Sequence, residues 1–497
     1  MPDKCSHNKC DLETYKDPET CSLHYRKNIK NLDRFEKDLL QTIKSGNHDF
    51  DEILFPKDYT TFPKNIKLIN SKFTGCEFAS QFNFEDTIFD KRTVFRENVF
   101  SYDIGFQVCQ ISDDFLLEDN KFIGQLSFTG FKANNGKIRL RNNMQNPTDF
   151  PLNEFSFDSC ELTKSFLSIE NIRCQNGYWN LSFNTFNNSG ISIKRLDLLG
   201  SFGFYKNDFH ESKFISMRVN FIENDFIFYE DNIFNSDSFI EFYGTNFESG
   251  RTSFRKFNFS APTHFERCKF SGIVDFTDSE NLSNCLFKNS NIEDINFDGA
   301  DWTNSFKVRD ETILENNYAM DKVGEERKSI LRTEYNSASR TYRRLKLNRE
   351  KQLDYSLSSK FYVREKECLR RSLPKHRRLF HSIMHYTCDY GENLYKVLRT
   401  ATIATIGFGL IYLFIGFKYK ASNEINYDLT LSNINFELGD LGLALWLSAK
   451  SILVPLRLLG DFELVSPLGG FLRDLESLIG AFLIGLFVFV FRRQLRN

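Results

Sequence analysis

Proline and glycine are scarce in this chain of 497 residues, at 10 and 26 copies. So little of either excludes collagen-like repeats and long disordered linkers. Net charge is nearly absent too. With 64 Lys+Arg against 66 Asp+Glu, no global field selects a nucleic-acid or an acidic partner. The chain contains no G-x-x-x-x-G-K, no G-x-S-x-G and no H-E-x-x-H, so no enzymatic activity is expected. No apolar core segment follows Met1-Pro2-Asp3-Lys4-Cys5, and no secretory signal is therefore expected. Without one, the eleven cysteines read as reduced thiols or metal ligands, not as a disulfide framework.

What is present is phenylalanine, 54 copies, a density that implies one structural slot filled again and again. Charge is also sorted along the chain. Residues 1–305 carry 34 basic and 45 acidic side chains, whereas residues 306–396 carry 21 and 13.

Cys5, Cys10, Cys21 and His24 offer three thiolates and an imidazole, the ligand set of a closed tetrahedral structural Zn²⁺ site. His7 is an alternative to His24, although Cys21-x2-His24 makes the tighter chelate. Residues 1–30 are too short and polar to build a core, so metal coordination would supply their folding free energy. Apolar Leu32, Phe35, Leu39, Leu40 and Ile43 then predict a helix within residues 31–49.

From Phe73 onward two interleaved series each step by eleven. One is Phe73, Phe84, Phe95, Phe106, Leu117, Phe128; the other is Phe78, Phe89, Phe100, Ile111, Phe122. Neither a 3.6 nor a 2.0 period produces this spacing; a solenoid does, each turn burying its apolar face against the next. The beat returns from Phe254 to Phe276 and ends in fives, Phe287, Ile292, Phe297, Trp302. It blurs between about 130 and 245, where irregular coils are expected. Residues 50–305 thus form about twelve coils of 20–22 residues, a rod of roughly 55–60 Å at ~4.8 Å per layer, with Phe84 and Phe297 pointing inward.

The run Ser290-Asn291-Ile292-Glu293-Asp294, Ile295-Asn296-Phe297-Asp298-Gly299, Ala300-Asp301-Trp302-Thr303-Asn304 resembles the pentapeptide-repeat family. That resemblance implies a mainly β fold, a right-handed quadrilateral β-helix. It also implies that Cys76, Cys109, Cys160, Cys268 and Cys285, each two residues before a large apolar position, fill the repeat's small inward slot. Free cysteine packs there as a small apolar residue.

Residues 306–396 read as a basic helical linker, a hairpin turning near Lys351–Asp354 and ending before Pro374. Tyr342-Arg343-Arg344-Leu345-Lys346, Phe361-Tyr362-Val363-Arg364-Glu365 and Tyr390-Gly391-Glu392 resemble the linker of pentapeptide-repeat proteins that carry a C-terminal channel-like domain. Thr400–Phe417 and Leu478–Phe491, the latter extendable across Glu476, are apolar enough to span a bilayer. Basic residues flank both outer ends, so the positive-inside rule places both termini in the cytoplasm of a plasma (inner) membrane protein with two spans. Arg370, Arg371, Lys375, Arg377, Arg378, Arg492 and Arg493 are expected to contact anionic lipid headgroups.

Between the spans, Leu441–Leu459 is apolar but carries Lys450, Pro455 and Arg457, which disfavours a third span and predicts a re-entrant segment. Leu475-Glu476-Ser477-Leu478-Ile479-Gly480 resembles the opening of the second span of two-span ion channels. No T-x-G-Tyr-Gly or T-x-G-Phe-Gly filter exists, and Val454-Pro455-Leu456 stands in its place. Residues 397–497 therefore read as a two-span, channel-like domain with Ser448, Lys450, Ser451, Pro455 and Arg457 as pore-region candidates. The expected protein is a homo-oligomer that conducts ions through a pore without a potassium filter, its cytoplasmic β-helix sensing a protein partner or assembling subunits. A non-conducting, membrane-tethered scaffold is the alternative. Relatives that mimic DNA suggest a topoisomerase partner, but the membrane segments argue against a nucleic-acid role.

Overall fold

The computed structural model describes residues 12, 21–24, 31–142, 152–222, 225–228, 231–248, 250–302, 306–316, 324–420, 425–427, 437–453 and 462–496. The chain divides into two compact units, 1–318 and 319–497.

The first unit is a β-solenoid, opened by helix α1 (Leu32–Lys44). Asn31 caps α1 by accepting from the Arg34 amide, as its short side chain favours. Phe35 then meets Phe55 and Tyr59 edge-on at 5.8 and 5.0 Å, closing the first turn. Most strands of this unit are short, all of those described are parallel, and they pair with the strand one turn later. Phe84 lies over Phe106 and then Phe128, while Phe73 lies over Phe95. The eleven-residue beat is therefore half a turn: consecutive members of one series stand on different faces of a coil of 22 residues, and alternate members stack on the same face. Rings in register stack in parallel, Phe73 on Phe95 at 4.4 Å and Phe84 on Phe106 at 5.1 Å.

Successive registrations lead from Phe50 through Phe73, Phe95, Leu117, Leu140, Ile169, Ile193, Ser216 and Phe242 to Phe265 and the strand Cys285–Leu286. That is about ten turns over residues 49–286, fewer than the twelve expected. Part of the difference is range, since the expected coils ran to residue 305; the rest lies in the stretch from about 130 to 245, which is not a break in the solenoid. Its turns are longer, and two runs, Phe166–Ser182 and Gly190–Tyr205, pair along nearly their whole length. Added residues per turn shift the phase of the apolar positions without breaking the ladder. Left-handed backbone at Asn171 and Arg195 retains a corner inside each long run.

The inward slot occupied by cysteine is one member of a polar column. Cys76, Cys109 and Cys268 donate their thiols to the carbonyls of Phe50, Phe84 and Phe242 at 3.2–3.3 Å. At equivalent corners stand asparagines. Asn184 donates to Asn207, Asn207 to Asn232, and each also reaches a buried carbonyl. Ser165, Ser189, Ser212 and Ser238 form a second column, each of the last three accepting from the amide one turn before. Corners leave amides and carbonyls outside the ladder, and buried backbone groups require partners. The helix α2 (Arg309–Asn316) follows the last turns, where Asp310 accepts from the Phe287 amide at 2.8 Å.

The second unit is helical. Helices α3 (Gly324–Lys351) and α4 (Tyr355–Ser372) form the expected hairpin, with Asp354 capping α4. Then come α5 (Lys375–Cys388), α6 (Leu394–Ile415), α7 (Leu438–Leu453) and α8 (Pro467–Arg496). Phe417–Tyr419 pairs antiparallel with Phe462–Leu464, joining the end of α6 to the start of α8. At the opposite end Cys388, Val397, Leu486 and Val490 pack together, so α6 and α8 run antiparallel.

Candidate functional site

Helices α6 and α8 are long and apolar enough to cross a membrane, and most of their surface stays exposed. Ile403, Ile406 and Leu410 on α6 and Leu478, Phe482 and Val488 on α8 face outward. A core helix of a soluble protein would bury such residues. Helix α7 packs against both. Its 16 residues reach about 24 Å, short of a ~30 Å hydrocarbon core.

Where the three helices meet, Glu476 of α8 is fully buried. Tyr412 of α6 donates to its Oε2 at 2.5 Å, and Ser448 of α7 donates to Oε1. Ser477 reaches the Ser451 carbonyl at 3.3 Å, and Ser451 is buried beside it. Small residues permit this approach. A Cβ on Gly480 would stand 2.4 Å from the Ile452 carbonyl oxygen, and one on Gly409 would stand 2.9 Å from Leu445. Chemically the cluster is an acceptor clamp: one carboxyl takes hydroxyl hydrogens from two other helices, joining three elements inside an apolar bundle.

The structure thus places two pore-region candidates, Ser448 and Ser451, in the interior of the helical unit. Lys450 is half-buried on α7, and Pro455 and Arg457 lie outside the described residues. Sequence reasoning treated Glu476 as an interruption of an apolar run and as part of a span-opening motif, and gave it no partner. A lone carboxylate in such a run, with hydroxyls available on neighbouring apolar helices, was the signal that marked it.

A second polar cluster lies at the other end of α6 and α8. Glu367 of α4 receives Arg370 and Arg371 at 2.6 and 2.9 Å. Burial opposes ionisation of Glu367, but hydrogen bonds from both arginines outweigh it and hold the carboxyl at about 2. Lys396 and His385 approach Asp389 at 2.7 and 3.1 Å. The Tyr390-Gly391-Glu392 turn has left-handed backbone at its first two positions. A Cβ on Gly391 would stand 2.6 Å from the Phe489 ring, so glycine is needed there for space as well as conformation. Glu392 pairs with Arg493 and accepts from Ser359, and Arg493 also lies over Tyr362 at 4.5 Å. Arg378 donates to the carbonyls of Leu373 and Arg371. Of the expected headgroup contacts, Arg370, Arg371, Arg378 and Arg493 thus engage groups of their own chain, while Lys375, Arg377 and Arg492 stand exposed.

In the first unit, Cys21 Sγ lies 3.1 Å from His24 Nδ1, and His24 Nε2 lies 3.0 Å from the Asp51 carbonyl. Cys5 and Cys10 lie outside the described residues, and among the described residues no group of three or more metal-ligating side chains converges. Burial raises the solenoid thiols, Cys76, Cys109 and Cys268 each to about 12, which makes them poor nucleophiles.

Comparison with protein-family models, with curated proteins and with solved structures finds no match to this chain.

Proposed function

We propose that this chain is a non-enzymatic, oligomeric membrane protein whose second unit forms an ion-permeation pathway and whose pentapeptide-repeat-like solenoid senses a cytoplasmic partner or assembles subunits. The observation that supports it most is the α6–α7–α8 arrangement. Two long helices with exposed apolar faces hold between them a helix too short to cross, and non-spanning backbone at membrane depth is stable only where protein or water shelters it. Both termini are placed in the cytoplasm, and Lys375, Arg377 and Arg492 are assigned to anionic headgroups. A two-span subunit encloses no pore by itself, so detergent-solubilised protein should run as an oligomer. Val454, Pro455 and Leu456 do not suit a stack of inward carbonyls, and Lys450 and Arg457 repeated around an axis favour anions. Reconstituted protein under a KCl gradient should reverse away from the potassium equilibrium potential, and Lys450→Glu should shift that reversal. Reversal at the potassium potential contradicts the reading.

A specific observation favours the scaffold as the second reading. Ser448 and Glu476 satisfy one another within a single chain, which withdraws two polar groups from any pore. An oligomer that stays silent under voltage, tension and ligand decides for it.

Cys5, Cys10, Cys21 and His24 are proposed to hold one structural zinc. The donor set present fits: Cys21 and His24 adjoin through sulfur and Nδ1, and the Asp51 carbonyl holds the other ring nitrogen, the usual outer partner of a ligating histidine. The metal would supply a crosslink tying the segment to α1 and the first strand. Elemental analysis of the full chain should find about one zinc per subunit, largely lost in Cys21→Ala. Zinc-free protein with unchanged protease resistance at its N-terminal end contradicts the assignment.

A further inference from the structure

Helix α5 is built the wrong way round for water. Its outward face carries Leu379, Phe380, Ile383 and Tyr386, which are 68, 66, 42 and 61% exposed. Those positions recur at three and four residues and make one stripe. Its inward face carries Arg378, His381, Ser382 and His385. Arg378 donates to two main-chain carbonyls, Ser382 accepts from Arg370 at 3.4 Å, the His381 ring lies tilted 6.3 Å from that of Tyr390, and His385 stands beside Asp389 and Glu367. A helix between protein and water shows the opposite polarity.

Three further observations say what covers the stripe. Cys388, at the end of α5, packs with Val397, Leu486 and Val490, so the C-terminal end of α5 sits at the level where the two candidate spans begin and end. The stripe also has apolar company at that level, since Tyr395, Leu398 and Leu495 are exposed as well. At its leading end Lys375 and Arg377 are exposed, while the neighbouring arginines are held by their own chain. Cations beside an apolar, aromatic face match the headgroup–acyl boundary.

We propose that α5 lies in the cytoplasmic membrane interface, with Leu379, Phe380, Ile383 and Tyr386 among lipid acyl chains and Lys375 and Arg377 on anionic headgroups. This rests on the membrane reading above and extends it from headgroup contact to an inserted helix. It gives the polar cluster of Glu367, His385 and Asp389 a role as the protein-side bearing of a membrane-seated element.

The test uses the full chain in vesicles of phosphatidylcholine and phosphatidylglycerol in equal parts. A Trp446→Phe background leaves Trp179 and Trp302, both buried in the solenoid core beyond the reach of lipid quenchers. Phe380→Trp then reports on the stripe at an exposed position. Lipids brominated near the glycerol end of their acyl chains should quench it about threefold more than lipids brominated near the methyl ends, as a shallow helix requires. Adding Lys375→Gln and Arg377→Gln should reduce the shallow quenching, and an unchanged signal overturns the headgroup assignment. Flotation of the protein with vesicles separates the two readings. Protein that floats while the introduced indole is unquenched overturns the inserted helix alone, with water-like emission meaning an exposed face and blue-shifted emission meaning a face covered by a second copy. Protein that does not float overturns the membrane reading and the helix with it.

Discussion

Phe84 shows what a single residue does in this fold. It is fully buried and lies in parallel stack on Phe106, with Phe62, Phe73, Phe82, Phe89 and Phe95 around it. Phe84→Ala should cost on the order of 3–5 kcal/mol, because neighbours held by their own ladders collapse poorly into the gap. Glu85 points outward and pairs with Lys64 at 2.6 Å in solvent. Its replacement by Ala should cost under about 1 kcal/mol, and equal urea midpoints for the two variants would contradict the register. His264 sets a pH dependence. Burial, then the Arg309 charge, hold its imidazole at about 4, below the ~6.5 of an unfolded chain. As pH falls below ~6.5 the unfolded chain binds a proton that the folded chain refuses until about 4, so stability is full above that window and declines through it. His264→Gln should flatten the decline of the solenoid's urea midpoint between those limits; an unaltered slope would assign it elsewhere.

At the scale of elements, α7 owes its place to one carboxyl and two glycines. Glu476→Ala leaves the hydroxyls of Tyr412 and Ser448 without their acceptor inside an apolar bundle, a loss on the order of 2–3 kcal/mol. Glu476→Gln keeps an acceptor oxygen and should lose less. Gly480→Val places side-chain atoms where the Ile452 carbonyl stands and should displace α7 even with Glu476 intact. Thermal melting in detergent orders the three variants; a Glu476→Ala protein that melts like its parent would show the clamp to be idle. Proline suits the first turn of a helix, so α8 begins at Pro467, well before its uncharged run, and continues through Glu476. A carboxyl already satisfied by two hydroxyls does not stop an apolar helix.

For the whole molecule, two compact units with separate cores predict separate unfolding. Calorimetry of the full chain in detergent should show two transitions, with Phe84→Ala lowering only one and Glu476→Ala only the other. A single transition moved by both variants would mean that the units fold as one. The solenoid holds itself together turn on turn, whereas the helical unit leaves its largest apolar faces exposed. That contrast, more than any single residue, supports two different surroundings for two halves of one chain.

The spacing of Phe residues alone determined a solenoid, because identical slots recur only when turns stack in register. The Leu32 helix, the hairpin at Lys351–Asp354 and the two apolar helices were equally legible, since periodicity and caps are local. Only tertiary structure decided the rest. The turns between 130 and 245 keep pairing despite their changed length, because ladder hydrogen bonds depend on backbone and not on phenylalanine. The cysteine slot turned out to be polar, its chemistry set by corner carbonyls that no spacing reveals. Arg370, Arg371 and Arg493 met carboxylates of their own chain, and Glu476 found hydroxyls 64 and 28 residues away. Sequence records which groups need partners. Which partner each one meets is a property of the folded distances.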